Sequence, residues 1–211
     1  MIRRLMVGAV LAGLLGAAAT ASAAENWSGR LYPITEDGLG SMRVPGSRVT
    51  LVRHADAVSY AAKTTQLEPG HAYTVWLMAW NHPEYCLDES DSDRGYQCGP
   101  DDFANAAAVP SMMWGAGGVA TGSTYTFTGE RRARDLSRVI FGPGIGNSAE
   151  AEVKFIVRDH GPASDDPDMR YSQTTSIDGG CSGETAVMPP TGQHGQPGDN
   201  ACRDVQASGA V

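Results

Sequence analysis

The sequence predicts an all-β fold, an antiparallel β-sandwich or small barrel with long loops and two disulfides. Three observations predict it. Short apolar runs of strand length recur along the 211 residues, with Gly-, Pro- and Ser-rich turns between them. The longest run, residues 73–80 (YTVWLMAW), holds β-branched and aromatic residues and no Gly, Pro or charge. Four cysteines are the even number that two cross-links require.

Residues 1–23 read as a cleavable signal peptide. Arg3 and Arg4 form the charged start, residues 5–19 the apolar run, and Ala21-Ser22-Ala23 the cleavage site. That run is too short and too rich in Ala and Gly for a membrane anchor, and no other stretch is apolar enough to span a bilayer. The expectation is a soluble chain, secreted or periplasmic. Residues 24–180 would be the β domain, and residues 181–211 an irregular Gly- and Pro-rich tail without a core. The full chain carries 16 basic and 24 acidic residues. Cleavage removes Arg3 and Arg4, leaving 14 against 24, a balance of −10. Such a chain is a poor partner for nucleic acid or anionic lipid.

Residues 26–32 (NWSGRLY) suit a first edge strand. Asn26-Trp27-Ser28 matches a glycosylation acceptor, but the Ala-rich leader looks bacterial, so Asn26 is read as unmodified. Residues 48–54 alternate and predict a strand, and residues 55–65 a short helix or another strand. After a turn at Glu68-Pro69-Gly70 comes the central strand. Tyr73, Val75, Leu77 and Ala79 point to one face, and Thr74, Trp76, Met78 and Trp80 to the other. Both faces are apolar. The second is therefore covered by another segment, or it offers Trp76 and Trp80 to a partner. Pro83 ends the strand.

Cys86 and Cys98 bracket an acidic loop, and Cys181 and Cys202 bracket a Gly-rich one. Of the three pairings, Cys86–Cys98 with Cys181–Cys202 is favoured, because each closes a local loop. Each closure contributes roughly 3 kcal/mol in the chain-entropy model. No C-x-x-C pair points to zinc. Residues 103–109 suggest one or two helical turns, residues 119–127 a hairpin, and residues 130–138 a short surface helix or a loop. The glycine-rich stretch 142–146 is followed by a strand-like run, 150–160, and not by the helix that phosphate binding needs. Residues 171–177 (YSQTTSI) predict a last strand.

The segments YTVWLMAWNHPEYC, CGPDD, AEVKFIVRDHGPA and the late GGC give the chain a resemblance to a group of exported bacterial β domains. The resemblance runs from Leu67 to Cys181 and implies kinship in fold. That group carries no established activity, so it implies no catalytic residue.

Several residue sets are chemical candidates. Glu89, Asp91 and Asp93 are spaced like the first oxygen ligands of a calcium loop, although Arg94 stands where that loop needs Gly. His82 and His160 each follow an apolar strand and would hold copper or zinc if the two strand ends met. Glu150 and Glu152 are spaced as a carboxylate pair, with a solvent-facing strand as the simpler account. No G-x-S-x-G elbow is present. Trp76 and Trp80, about 13 Å apart on one strand face, would stack on a sugar or meet another envelope protein. The reading favoured is a non-catalytic binding or scaffold domain with no resident cofactor, its ligand a saccharide or a protein. The alternative is a metal-dependent or hydrolytic enzyme centred on His82 and His160.

Overall fold

The computed structural model describes residues 25–36, 38–87, 98–182 and 194–209. The chain runs through β1 (Glu25–Gly29), β2 (Leu31–Thr35), β3 (Gly38–Leu39), β4 (Arg48–Arg53), β5 (Ala57–Thr65) and β6 (His71–Trp80). It continues through β7 (Pro110–Val119), β8 (Thr124–Arg132), β9 (Val139–Phe141), β10 (Glu152–Pro162), the helix α1 (Pro167–Thr175) and β11 (Arg203–Ser208). The strands form two open antiparallel sheets. One has the order β1-β4-β5-β8, the other β3-β2-β11-β10-β6-β7-β9. The sandwich expectation holds, and neither sheet closes into a barrel. Cys86–Cys98 and Cys181–Cys202 are the two disulfides. Among the described residues no helix is long and apolar enough to cross a membrane. The leader, residues 1–23, lies outside the described residues.

The alternation in sequence builds the core directly. Val49, Leu51, Tyr60, Ala62 and Phe127 face inward from the smaller sheet. Val75, Leu77, Ala79, Val153, Phe155 and Val157 meet them from the larger one. Each large apolar side chain removed from water contributes about 1.5–3 kcal/mol. Tyr60 packs on Phe155 with ring centroids 5.3 Å apart. Its hydroxyl needs glycine opposite, because a Cβ at Gly129 would stand 2.2 Å from the phenol oxygen.

The second face of β6 is covered. Trp76, Met78, Trp80, Met112 and Ile177 form a separate apolar layer, packed with Cys98, Ala108, Phe103 and Phe141. The glycine stretch 142–146 is tied into the fold by Asn81 and by close backbone packing. Asn81 donates to the Gly144 carbonyl at 2.9 Å and accepts from the Gly146 amide at 2.6 Å. Gly142 adopts φ +76° against the Pro110 carbonyl, where a Cβ would stand 2.1 Å away.

Two expectations are corrected. Residues 171–177 are not a strand. They fall in or just beyond α1, which starts where Asp166 caps the Asp168 and Met169 amides and Pro167 takes the first turn. The end of the chain is not an irregular tail either. β11 sits inside the larger sheet, paired to β10 on one side and β2 on the other. Its polar sequence hid it, yet Gln206 is buried and donates to the Thr65 carbonyl at 2.8 Å. Residues 130–138 contain no helix; the first three extend β8. Residues 55–65 resolve to β5.

Candidate functional site

Trp76 and Trp80 cannot serve as an exposed stacking platform. They are 1 % and 0 % exposed. Trp80 packs under Phe103, ring centroids 5.2 Å apart, and the Lys154 ammonium lies 5.3 Å from its ring. The chain has enough loop outside β6 to cover both faces, and burial of two indoles is worth more than their exposure.

His82 and His160 do not meet. β6 and β10 are antiparallel, with Trp80 opposite Glu152 and Tyr73 opposite Asp159. Eight strand residues, roughly 26 Å, therefore separate the end near His82 from His160. His82 is half-exposed and pairs with Glu84 at 3.1 Å. Glu89, Asp91 and Asp93 lie outside the described residues. Glu150 and Glu152 do not form a carboxylate pair on a strand face. Glu150 precedes β10 and accepts from Asn147 at 2.6 Å, whereas Glu152 is buried and accepts from the Cys98 amide at 3.1 Å.

The outward face of β10 explains why. Glu152, Lys154, Arg158 and His160 alternate in sequence like a solvated face, yet all are at most 8 % exposed. Each ties a loop to the sheet. Lys154 donates to the Cys98 carbonyl. Arg158 donates to Asp204 at 2.8 Å and lies 3.9 Å from Asp178. His160 reaches the Gly179 carbonyl at 2.9 Å through Nδ1 and Thr74 Oγ1 at 2.8 Å through Nε2. Burial pushes its imidazole down to about 4. Trp76 Nε1 donates to the same Thr74 oxygen at 2.7 Å, so the row from indole to carbonyl is fully paired.

An open cleft of 340 Å³ lies where the chain crosses from one sheet to the other, between β1 and β2. Arg30, Arg43 and Arg48 line it with Trp27 and Tyr32, and among the described residues no carboxylate does. Local hydrogen bonds hold the backbone that carries the arginines. The Val44 amide donates to the Leu31 carbonyl at 2.8 Å, and the Leu31 amide donates to Ser47 Oγ at 3.1 Å. Arg30 Nη1 donates to the Ser47 carbonyl. The 43–48 turn is thereby pinned along β2, with Arg43 and Arg48 at its ends. Among the described residues neither has an ion-pair or hydrogen-bonding side-chain partner, and both are exposed. Gly29 lets Trp27 lie flat along β1, since a Cβ there would stand 1.9 Å from the indole. A second cavity of 400 Å³ shares Trp27, Ser28 and Arg48 and continues along Asn26 and Thr50.

A smaller cavity of 250 Å³ opens beside the end of α1, lined by Trp76, Trp114, Ile177 and Arg138. Arg138 is already engaged there, its guanidinium 4.3 Å from the Trp114 ring centre.

Sequence reading missed Trp27, Tyr32 and the three arginines because they come from separate elements. One signal was present. Residues 26–53 hold four arginines against two acids in a chain that is otherwise acidic. Compared with known proteins, the chain matches no family model, no curated protein and no solved structure.

Proposed function

We propose that this is an exported, non-catalytic binding domain that holds an anionic saccharide in the cleft between β1 and β2. The observation that supports the reading is the concentration of Arg30, Arg43 and Arg48 around one cleft of an acidic chain, with no carboxylate among its described lining residues. Guanidinium forks suit carboxylate and sulfate oxygens, and each charge-assisted bond contributes about 1.5–3 kcal/mol. Trp27 adds a partly buried indole beside them, suited to the face of a sugar ring. The proposal keeps the saccharide expectation and moves it from Trp76 and Trp80 to Trp27.

Titration calorimetry with a uronate-containing oligosaccharide and its neutral counterpart tests the reading. The acidic sugar is expected to bind and the neutral one to bind at least tenfold more weakly. Arg43→Glu with Arg48→Glu is expected to abolish the difference while leaving the melting temperature near that of the parent. Equal binding of the two sugars, or binding indifferent to both charge reversals, rules the proposal out.

A further inference from the structure

We infer that Cys181, Cys202 and His160 form a zinc site when the disulfide between the two cysteines is reduced. His160 Nδ1 stands 3.7 Å from Cys181 Sγ and 3.9 Å from Cys202 Sγ. Zinc–nitrogen and zinc–sulfur bonds of about 2.1 and 2.3 Å at a tetrahedral angle put N and S about 3.6 Å apart. The imidazole is therefore already at ligand separation from both sulfurs, and only the sulfurs must part. The Gly179 carbonyl oxygen, 2.9 Å from Nδ1 and 3.7 Å from Cys181 Sγ, is at hand as a fourth donor. All three side chains are buried, as in a closed structural site.

The groups behind the imidazole fit the same role. Metal-binding histidines are oriented by a hydrogen bond at the other ring nitrogen. Here Thr74 Oγ1 meets Nε2 at 2.8 Å, and Trp76 Nε1 holds that hydroxyl. The other disulfide lacks this arrangement. Asp102 is the group near Cys86 and Cys98, and it is committed to the Gly99 amide at 2.9 Å and the Leu87 amide at 2.7 Å.

The chemistry balances with a dithiol as reductant. Two electrons and two protons pass from the dithiol to the disulfide, giving two cysteine thiols and the oxidised reductant. On binding zinc each thiol releases one proton. The imidazole proton moves from Nδ1 to Nε2, the Thr74 hydroxyl proton rotates away from the ring, and Thr74 Oγ1 then accepts from Nε2 as well as from Trp76 Nε1. Zinc then replaces the sulfur–sulfur tie between the segment after α1 and the residue that leads into β11.

The test uses the full chain with Cys86→Ser and Cys98→Ser, reduced, so that Cys181 and Cys202 are the only thiols. One equivalent of zinc is expected to bind, seen by native mass spectrometry. It should protect both thiols from alkylation and raise the denaturation midpoint. His160→Gln is expected to weaken zinc at least tenfold, with the fold of its oxidised form checked by circular dichroism. If that variant does not fold, Thr74→Val reads the same site, with a loss of about tenfold or more. No uptake by the reduced chain overturns the inference. So does zinc affinity unchanged by His160→Gln or Thr74→Val, or equal affinity in denaturant.

Discussion

His160 shows how a single residue can be misread and still be decisive. In sequence it follows an apolar strand and suggests a ligand at a strand end. In the fold it is 0 % exposed and paired at both ring nitrogens. Its ordinary value of 6.5 falls to about 4 because burial penalises the charged ring. The unfolded chain therefore binds a proton that the folded chain refuses. The associated stability is complete above about pH 6.5 and is lost as the pH falls toward about 4. The loss amounts to about 3 kcal/mol. Urea denaturation of the oxidised protein across that window checks it, and His160→Gln should flatten the pH dependence. A profile of the same steepness in the variant would place the effect elsewhere. The sequence could not reveal this, because the groups that pair with the ring come from β6 and from the segment after α1.

At the scale of elements, local pattern was reliable where the buried faces are apolar and misleading where a buried face is polar. β6 was legible because ten residues end at a proline-led turn and pack on both sides. β10 was legible as a strand, but its Glu-Lys-Arg-His face suggested solvent and is buried, paired to Cys98, Asp204 and Gly179. α1 carried its signal upstream, in the Asp166-Pro167 cap, while its own residues alternate like a strand. β11 had no signal beyond a short polar run, because pairing on both edges compensates for low β propensity. Deleting residues 202–211 is therefore expected to abolish cooperative unfolding and leave aggregated protein. Cys181→Ser with Cys202→Ser keeps β11 and should cost only about 3 kcal/mol. Chemical denaturation of the two variants compares them directly. A truncated chain that still unfolds cooperatively would show β11 to be dispensable.

For the whole molecule, charge and topology act together. The chain carries a net charge of −8, whereas three arginines gather at the crossing between the sheets. At long range an anionic ligand is repelled, and within the cleft it is attracted. Raising salt from about 0.01 M to about 0.15 M shortens the reach of charge from about 30 Å to about 8 Å. The repulsion is long-ranged and the cleft contacts are short, so the association rate of an anionic ligand is expected to rise over that interval. Stopped-flow measurements follow it. A rate that falls with salt would mean that the cleft dominates the field, and Arg43→Glu would then reverse the trend.

The sequence by itself determined the all-β class, the central strand and the favoured disulfide pairing. These depend on side-chain periodicity and on contacts between residues near in the chain. Only the tertiary structure decided which apolar face was covered, that β6 and β10 run opposite ways, and that the chain's end joins the sheet. It also brought Trp27, Arg30, Arg43 and Arg48 to one cleft and His160 to two cysteines. Those outcomes rest on strand direction and on contacts between distant segments. Alternating residues look the same whichever segment covers them.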